Sequence, residues 1–470
     1  MGARSVSLVI AGSGGAGVIT AGNLLLDAAA RAGWYGYMTR SAGPQIRGGE
    51  AAAMIRIGAD PIGSHDDWFH MLIAVDWENI GRFAAEIPLT GESVVIGDPD
   101  EGQAPAAILA AAPRTVPLAM KKIAKGIPDG RPNMVALGAV AAMIGLPEQA
   151  MIEVLDKALG RKGAAAIQAS AAAFRAGAGA AAGLPPIPQL AARDTSGVER
   201  WGITGNEASG LGAIRGGVRF VAAYPITPAT DMLEWLAAKL PKVGGMLVQA
   251  EDELASINQI VGASYGGVPA LTATSGPGLS LMIESIGLAV AAEVPIVVMD
   301  VMRGGPSTGI PTKSEQSDLN IALYGLHGDA PHLVLAPNSI PDCLFTTQWA
   351  VHLAEALQCP AIVLTDQAMG QARSVIPKPA EVAFIGRRLS AETAASQPYK
   401  RYAITASGVS PMAVPGTPGG QYTADGLEHN EFGTPSSLAS DHRAHLDKRE
   451  RKLTAHNYGG HWADIEGDGD

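Results

Sequence analysis

Tyr224-Pro225-Ile226-Thr227-Pro228, Gln249-Ala250-Glu251-Asp252-Glu253, Thr272-Ala273-Thr274-Ser275-Gly276-Pro277-Gly278 and Arg303-Gly304-Gly305-Pro306-Ser307-Thr308-Gly309-Ile310-Pro311-Thr312-Lys313 decide the fold of this chain. Each piece falls where a strand-like run ends or a helical pattern begins. Val218–Tyr224, Met246–Val248, Leu271–Thr274 and Val294–Val301 are the runs, and the last is nearly continuous and apolar, as expected of a strand buried on both faces. In an open parallel sheet such strand ends converge on one crevice, where ligands bind. Pro225 and Pro228 turn the chain and leave Thr227 at the mouth of that crevice. Thr230-Asp231 are placed to cap a helix running to Leu240. Glu253 opens a second helix, with its carboxylate facing the positive helix end and the same crevice. Ser275-Gly276-Pro277-Gly278 is a turn that lets backbone pass close to a ligand.

Taken singly, each piece has an ordinary explanation. Pro-x-x-Pro is a turn, a helical Glu is solvated, and Ser-Gly-Pro-Gly is a loop. Their occurrence in order, at successive strand ends, makes that explanation poor. Together they resemble the alpha subunit of 2-oxoacid:ferredoxin oxidoreductases. Tyr224–Pro228, Ala273–Gly278 and Arg303–Gly309 carry the resemblance, which covers roughly residues 5 to 460. Within the family the chain looks most like the 2-oxoglutarate type, whose alpha subunit carries the gamma domain fused at its N-terminus.

Composition agrees with that class. The chain has 470 residues, enough for two or three domains. Aromatics are only 5%, with Ala and Gly abundant, which favours close helix–sheet packing in an α/β protein. A formal net charge of −11 argues against nucleic acid or an anionic membrane as main partner. The two cysteines, Cys343 and Cys359, are not in CxxC spacing and read as buried free thiols in a reducing compartment. An iron–sulfur cluster needs about four thiolates, more than this chain offers. No secretory pattern or transmembrane run is present, so a cytoplasmic location is expected.

Ser5–Ala11 reads as a buried strand, followed by Gly12-Ser13-Gly14-Gly15-Ala16-Gly17 and a helix through Ala32. This is the dinucleotide G-x-G-x-x-G on paper. The second strand, about Trp34–Thr39, ends in Arg40 with no acid for a ribose. Arg40 suits a 2′-phosphate, so a stand-alone NADP-dependent dehydrogenase remains a rival. The resemblance instead makes this segment a gamma-type domain in which the glycines serve helix–sheet packing. Gly43–Glu50 is a glycine-rich loop whose Arg47 is placed to read a carboxylate or a coenzyme A phosphate. Ser64–His70 has metal-like residue types without a ligand set, and reads as a loop and helix cap. Ala-rich helices fill residues 133–175. Gly177–Leu190 reads as the linker closing a domain at 1–190. The second domain spans 199–378 and opens on a helix capped by Asn206. Residues 379–470 read as an irregular extension with one charged helix at Ser436–Leu453. Gly467-Asp468-Gly469-Asp470 reads as a solvated tail. The alpha subunits that the chain resembles continue with another α/β domain like the C-terminal domain of transketolase. The sequence holds no counterpart, whether because it is a fragment or because that domain is missing or separate, and no role of that domain is carried over.

The fold expected is therefore α/β: a gamma-type domain and a pyrimidine-binding thiamine diphosphate domain, with the extension. The resemblance implies a mechanism. A 2-oxo acid loses carbon dioxide only if the resulting carbanion is stabilised, which side chains do poorly and thiamine diphosphate does well. One Glu hydrogen-bonds the aminopyrimidine and needs an easily protonated carboxyl. Glu253 fits better than Glu251, because it lies nine residues before Gly262, the spacing of related thiamine domains. Tyr224, Pro225, Ile226, Thr227, Ser275 and Gly276 would line the cofactor. Thr227 and Arg303 would contact the substrate carboxylate and 2-oxo group, and Thr312 would line the pocket. Lys313 and Arg47 are candidates for a distal carboxylate. No metal ligand is assigned to this chain; Mg2+ and a [4Fe–4S] cluster are expected on a separate beta subunit. Coenzyme A is the co-substrate and ferredoxin the electron acceptor, in a dimer of alpha–beta heterodimers, with possible reversal to fix carbon dioxide. Pyruvate and branched-chain 2-oxo acids share these motifs. A non-catalytic scaffold is the other rival; it would tolerate Glu253→Gln.

Overall fold

The computed structural model describes residues 2–42, 50–78, 80–191, 197–392 and 398–461. Arg47 and the Gly467–Asp470 tail lie outside the described residues.

The strands are β1 (Ser5–Ser13), β2 (Tyr35–Ala42), β3 (Glu50–Gly58), β4 (Met71–Ala74), β5 (Val94–Gly97), β6 (Arg114–Pro117), β7 (Arg200–Thr204), β8 (Phe220–Ala223), β9 (Met246–Gln249), β10 (Ala270–Thr274), β11 (Ile296–Met302), β12 (Leu333–Leu335), β13 (Pro360–Asp366) and β14 (Arg373–Pro377). The first sheet has the order β6-β5-β4-β1-β3-β2-β14-β7. The second has the order β12-β13-β11-β10-β8-β9, with every pairing parallel. All seven residues of β11 are buried, as its apolar run predicts. Helices Gly205–Gly216, Thr230–Lys239 and Ile340–Leu357 cover one face of the second sheet. Glu253–Tyr265 and Gly276–Ala291 cover the other.

Two strands cross the expected division at residue 190. β14 pairs antiparallel with β2 in register Arg373↔Met38, and β7 pairs with β14. The first sheet thus ends in strands that flank the second unit in sequence. Arg373 reinforces the seam through Asp27 at 2.7 Å and Asn23 at 3.1 Å.

Several local expectations change. Helix Ala164–Ala180 runs through the start of the expected linker. A β-carbon at Gly177 would stand 2.0 Å from the Val135 carbonyl oxygen, and one at Gly138 1.9 Å from that of Phe174. These glycines let two helices touch backbone to backbone; they are not linker composition. Thr204, not Asn206, caps helix Gly205–Gly216, in a reciprocal box with Glu207. Helix Thr230–Lys239 has no side-chain cap, because Asp231 is held by Arg40 at 2.7 Å and by Gln371 at 3.2 Å. Residues 59–70 form no helix for the Ser64–His70 cluster to cap. His65 there packs against Tyr37 and Phe69, and burial pulls its pKa down to about 4.

The extension is not merely laid on the surface. Helix Ala439–Thr454 buries Lys448, Lys452 and His445. Lys448 Nζ donates to Glu293 Oε1 at 2.7 Å, and Lys452 Nζ to Glu293 Oε2 at 3.0 Å. Arg401 donates to the Glu293 carbonyl at 2.8 Å. Burial alone would raise the Glu293 pKa, but Lys452, Lys448 and Arg401 together hold it well below the ordinary range. Burial pulls Lys448 down to about 8. Removing the one anion leaves buried cations uncompensated, which costs about 3–5 kcal/mol. Glu293→Gln should therefore lower the denaturant midpoint far more than Lys448→Met, which leaves Glu293 with Lys452 and Arg401. Equal losses in paired unfolding curves would contradict this account.

Candidate active site

Because β8, β9, β10 and β11 are parallel, Thr227, Glu253, Ser275 and Arg303 all leave the sheet at one edge. Each follows the C-terminal end of its strand, as the sequence pattern requires.

Glu253 is the first residue of helix Glu253–Tyr265 and is 8% exposed. Asp252 caps that helix, accepting from Ala255 N–H at 2.7 Å. Asp252 supports the helix backbone, and the Glu253 side chain takes no part in that cap. Among the described residues no hydrogen bond reaches the Glu253 carboxyl. Its side chain lies against the Ser275–Gly278 turn. A β-carbon at Gly278 would stand 2.0 Å from Thr274 Oγ1, 2.8 Å from Glu253 Cγ and 2.9 Å from Glu253 Oε1. Gly278 is therefore a glycine because Glu253 and Thr274 occupy the space of its side chain. Ser275 is fully buried, and its hydroxyl has no partner. Gly276 meets the Asp318 carboxylate, 2.5 and 2.7 Å from where a β-carbon would be.

Arg303 is 8% exposed at the end of β11. Nη1 donates to the Thr227 carbonyl at 2.6 Å and Nη2 to the Thr308 carbonyl. Nε is buried without a partner. Burial pulls the Arg303 pKa down from its ordinary value. The guanidinium is thus a strut between the Tyr224–Pro228 turn and its own loop. Thr227 is exposed, and Asn206 buttresses the same turn by donating to the Pro228 carbonyl at 3.0 Å. Tyr224 is 40% exposed, while Pro225 and Ile226 are half-buried. The loop after Arg303 closes through Gly304 N–H to the Lys313 carbonyl at 3.0 Å and Ile310 N–H to the Gly304 carbonyl at 2.7 Å. Thr312 is half-buried there. Lys313 forms an ion pair with Glu86 of the first unit. Its ammonium is engaged across the seam, away from the distal-carboxylate role expected of it.

Asn206, Glu86, Asp300, Asp318 and Glu315 were missed as site residues. Only Asp300 had a visible signal, a single acid inside an apolar strand. At the other turn, Asp76 accepts from Ser13 N–H at 3.0 Å and from Ser13 Oγ at 2.9 Å, so a carboxylate already occupies that backbone donor. With Arg40 bound to Asp231, the dinucleotide reading of Gly12–Gly17 has neither of the contacts it needs. Among the described residues no group of three His, Cys, Asp or Glu is placed to hold a metal ion.

A family model described as "Pyruvate flavodoxin/ferredoxin oxidoreductase, thiamine diP-bdg" matches residues 211–448, and one described as "Pyruvate ferredoxin/flavodoxin oxidoreductase" matches residues 7–180. A 2-oxoacid:ferredoxin oxidoreductase subunit alpha from Saccharolobus solfataricus is 32% identical, over 95% of this chain and 78% of its own length. The chain belongs to the alpha-subunit family of 2-oxoacid:ferredoxin oxidoreductases. Proteins of this family are enzymes. The 2-oxoglutarate synthase subunit KorA of Methanocaldococcus jannaschii is 41% identical over 53% of this chain and 66% of its own. A solved 2-oxoglutarate:ferredoxin oxidoreductase from Magnetococcus marinus, with 2-oxoglutarate, coenzyme A and succinyl-CoA bound, superposes with a TM-score of 0.91. It is 38% identical, over all of this chain and 82% of its own. The expected fold class, two α/β units with an extended C-terminal segment, agrees with that superposition.

Gly278→Ala should push Glu253 out of place without touching its chemistry. A misplacement of about 1 Å costs on the order of 100-fold in rate. The variant is expected to lose that much turnover and also some thermal stability, since the buried Thr274 hydroxyl must move too; wild-type turnover would show that Glu253 does not depend on this contact.

Proposed function

We propose that this chain is the alpha subunit of a 2-oxoglutarate:ferredoxin oxidoreductase. The reaction is 2-oxoglutarate plus coenzyme A plus oxidised ferredoxin giving succinyl-CoA, carbon dioxide and reduced ferredoxin, and a low-potential donor would drive it backward. The observation that carries the reading is Glu253: a buried carboxyl with no hydrogen-bond partner among the described residues, at the strand edge, against a glycine that makes room for it. Such a group fits the aminopyrimidine of thiamine diphosphate, and the unpartnered Ser275 hydroxyl and the close-packed Gly276–Gly278 turn line the same edge.

Tyr224, Pro225, Ile226, Thr227, Ser275 and Gly276 would hold the cofactor with Glu253. When bound, thiamine diphosphate supplies the electron sink for decarboxylation. Glu253 holds and returns a proton at the pyrimidine ring nitrogen, a task suited to a carboxyl sheltered from water. Arg303, fixed by two carbonyls and with Nε unused, orients the 2-oxo acid's carboxylate beside Thr227. Thr312 lines the pocket, Arg47 stays a candidate for the distal carboxylate, and Lys313 could serve only by leaving Glu86.

The remaining parts belong to partners. Mg2+ and a [4Fe–4S] cluster are assigned to a beta subunit, since this chain has only two cysteines. Both are buried free thiols whose pKa burial pushes up to about 12. The assembly we infer is a dimer of alpha–beta heterodimers that passes electrons to ferredoxin. No described helix is long and apolar enough to cross a membrane, and a cytoplasmic setting suits free thiols. We assign residues 1–190 to the gamma-type domain, 199–378 to the pyrimidine-binding domain and 379–470 to the extension; the family match over 7–180 lies within the first, while the one over 211–448 takes in the second together with most of the extension. Pyruvate stays as the second reading, because both matching family models are described by that substrate.

The test is viologen reduction by the chain co-purified with its beta subunit, with 2-oxoglutarate and pyruvate in parallel. Activity should require coenzyme A and prefer 2-oxoglutarate. Glu253→Gln should retain bound thiamine diphosphate and lose at least about 100-fold in rate. Preference for pyruvate overturns the substrate assignment, and an active Glu253→Gln complex overturns the mechanism.

A further inference from the structure

Asp300 lies in the middle of the second sheet and is 0% exposed, the only acid in a strand of otherwise apolar residues. Its strand neighbours Thr274 and Leu364 carry no charge. Both of its carboxyl oxygens are buried without a donor, as is Oδ2 of Asp318. Two facing carboxylates with no donor between them cannot both be ionised in such a place. Burial, then the nearby Asp318, pushes the Asp300 pKa well above the ordinary aspartate value, and a proton held on Asp300 would give the pair the donor that it lacks. Burial raises Asp318 as well, with Glu315 adding to the rise and Asp300 offsetting part of it.

We propose that Asp300 and Asp318 share this proton as a clamp that positions the Arg303–Asp318 loop against the N-terminus of helix Gly276–Ala291. The proposal rests on the reading of that loop as substrate-contacting. Asp318 is the point at which the returning end of the loop touches Gly276, two residues from the glycine that accommodates Glu253. Upstream, Glu315 accepts from Gly305 N–H at 2.7 Å, and Gln316 donates to Asp366 at 2.6 Å. The loop's other end is tied to Arg303 through the Thr308 carbonyl. Asp318 therefore links the substrate arginine's loop to the turn beneath the cofactor glutamate. Neither aspartate touches substrate; both act through the loop.

The charged groups around the pair are Asp318 and Glu315 from the loop, Arg303 just past the end of the Asp300 strand, Glu253 across the Gly276–Gly278 turn, and Asp366 through Gln316. As pH rises through the raised Asp300 value the proton leaves. Two adjacent buried carboxylates then repel, and the loop loses its anchor. Below that pH the clamp is intact.

Wild type, Asp300→Asn and Asp300→Leu would be compared. Asn keeps an N–H donor at every pH, whereas Leu has none. The KM for the 2-oxo acid in the complex should rise on the alkaline side in wild type, with kcat less affected. Asp300→Asn should keep the neutral-pH KM and flatten that rise. Asp300→Leu should raise KM about tenfold throughout, the loss of one buried hydrogen bond to a charged group. Independently of activity, the isolated wild-type chain at neutral pH should show an infrared carboxylic-acid C=O band that disappears in Asp300→Asn. An alkaline rise in Asp300→Asn equal to that of wild type overturns the clamp, as does a wild-type spectrum without the band. If the wild-type complex turns over no 2-oxo acid, the proposed reaction fails, and the infrared band alone decides whether the proton is shared.

Discussion

Parallel pairing of β8, β9, β10 and β11 is the constraint on which the rest depends. Parallel strands need crossover helices, and those helices start where the strands stop. The sheet therefore delivers a turn, a helix start, a glycine turn and an arginine to one edge, in that order. Everything local is then about room. Gly278 leaves space for Glu253, Gly276 for Asp318, and Gly309, at φ 62, for the Gly304 carbonyl 1.6 Å from where its β-carbon would be. The glycines of this edge are explained by what packs against them and not by flexibility.

Much of this was legible in the sequence. Apolar runs marked β8 to β11 to within about two residues, and Glu253 was singled out from its acidic neighbours by its spacing to Gly262, which the family resemblance supplied. What stayed hidden involves partners distant in sequence. Asp231 looked like a helix cap until Arg40, 191 residues away, claimed it. Asn206 looked like a cap until it was found supporting the Pro228 carbonyl. Gly177 looked like linker because a glycine at a helix crossing and a glycine in a loop leave the same mark in composition. Arg47 falls outside the described residues, so its role stays where the sequence left it.

Charge is used in two ways in the second unit. At the strand-end edge, Glu253 and Asp300 are buried without hydrogen-bond donors among the described residues. At the far end of helix Gly276–Ala291, Glu293 is buried with several cations and has its charge fixed. The same helix thus runs from sparsely partnered acids at one end to a fully paired one at the other. Arg388 and Glu355 form a second buried pair, with two bonds of 2.7 Å each and 5% and 4% side-chain exposure, but here burial outweighs the single cation and raises Glu355.

The ladder β2–β14–β7 has a consequence for how such a protein is assembled from polypeptides. Its hydrogen bonds join the two units without using the peptide bonds between residues 191 and 197. A break there would remove no ladder bond; the same sheet would simply run from one chain into another. What the covalent connection adds is effective concentration, on the order of millimolar for a short tether. Fusing the two units into one gene or encoding them as two would then be a matter of dosage and encounter, with the architecture unchanged.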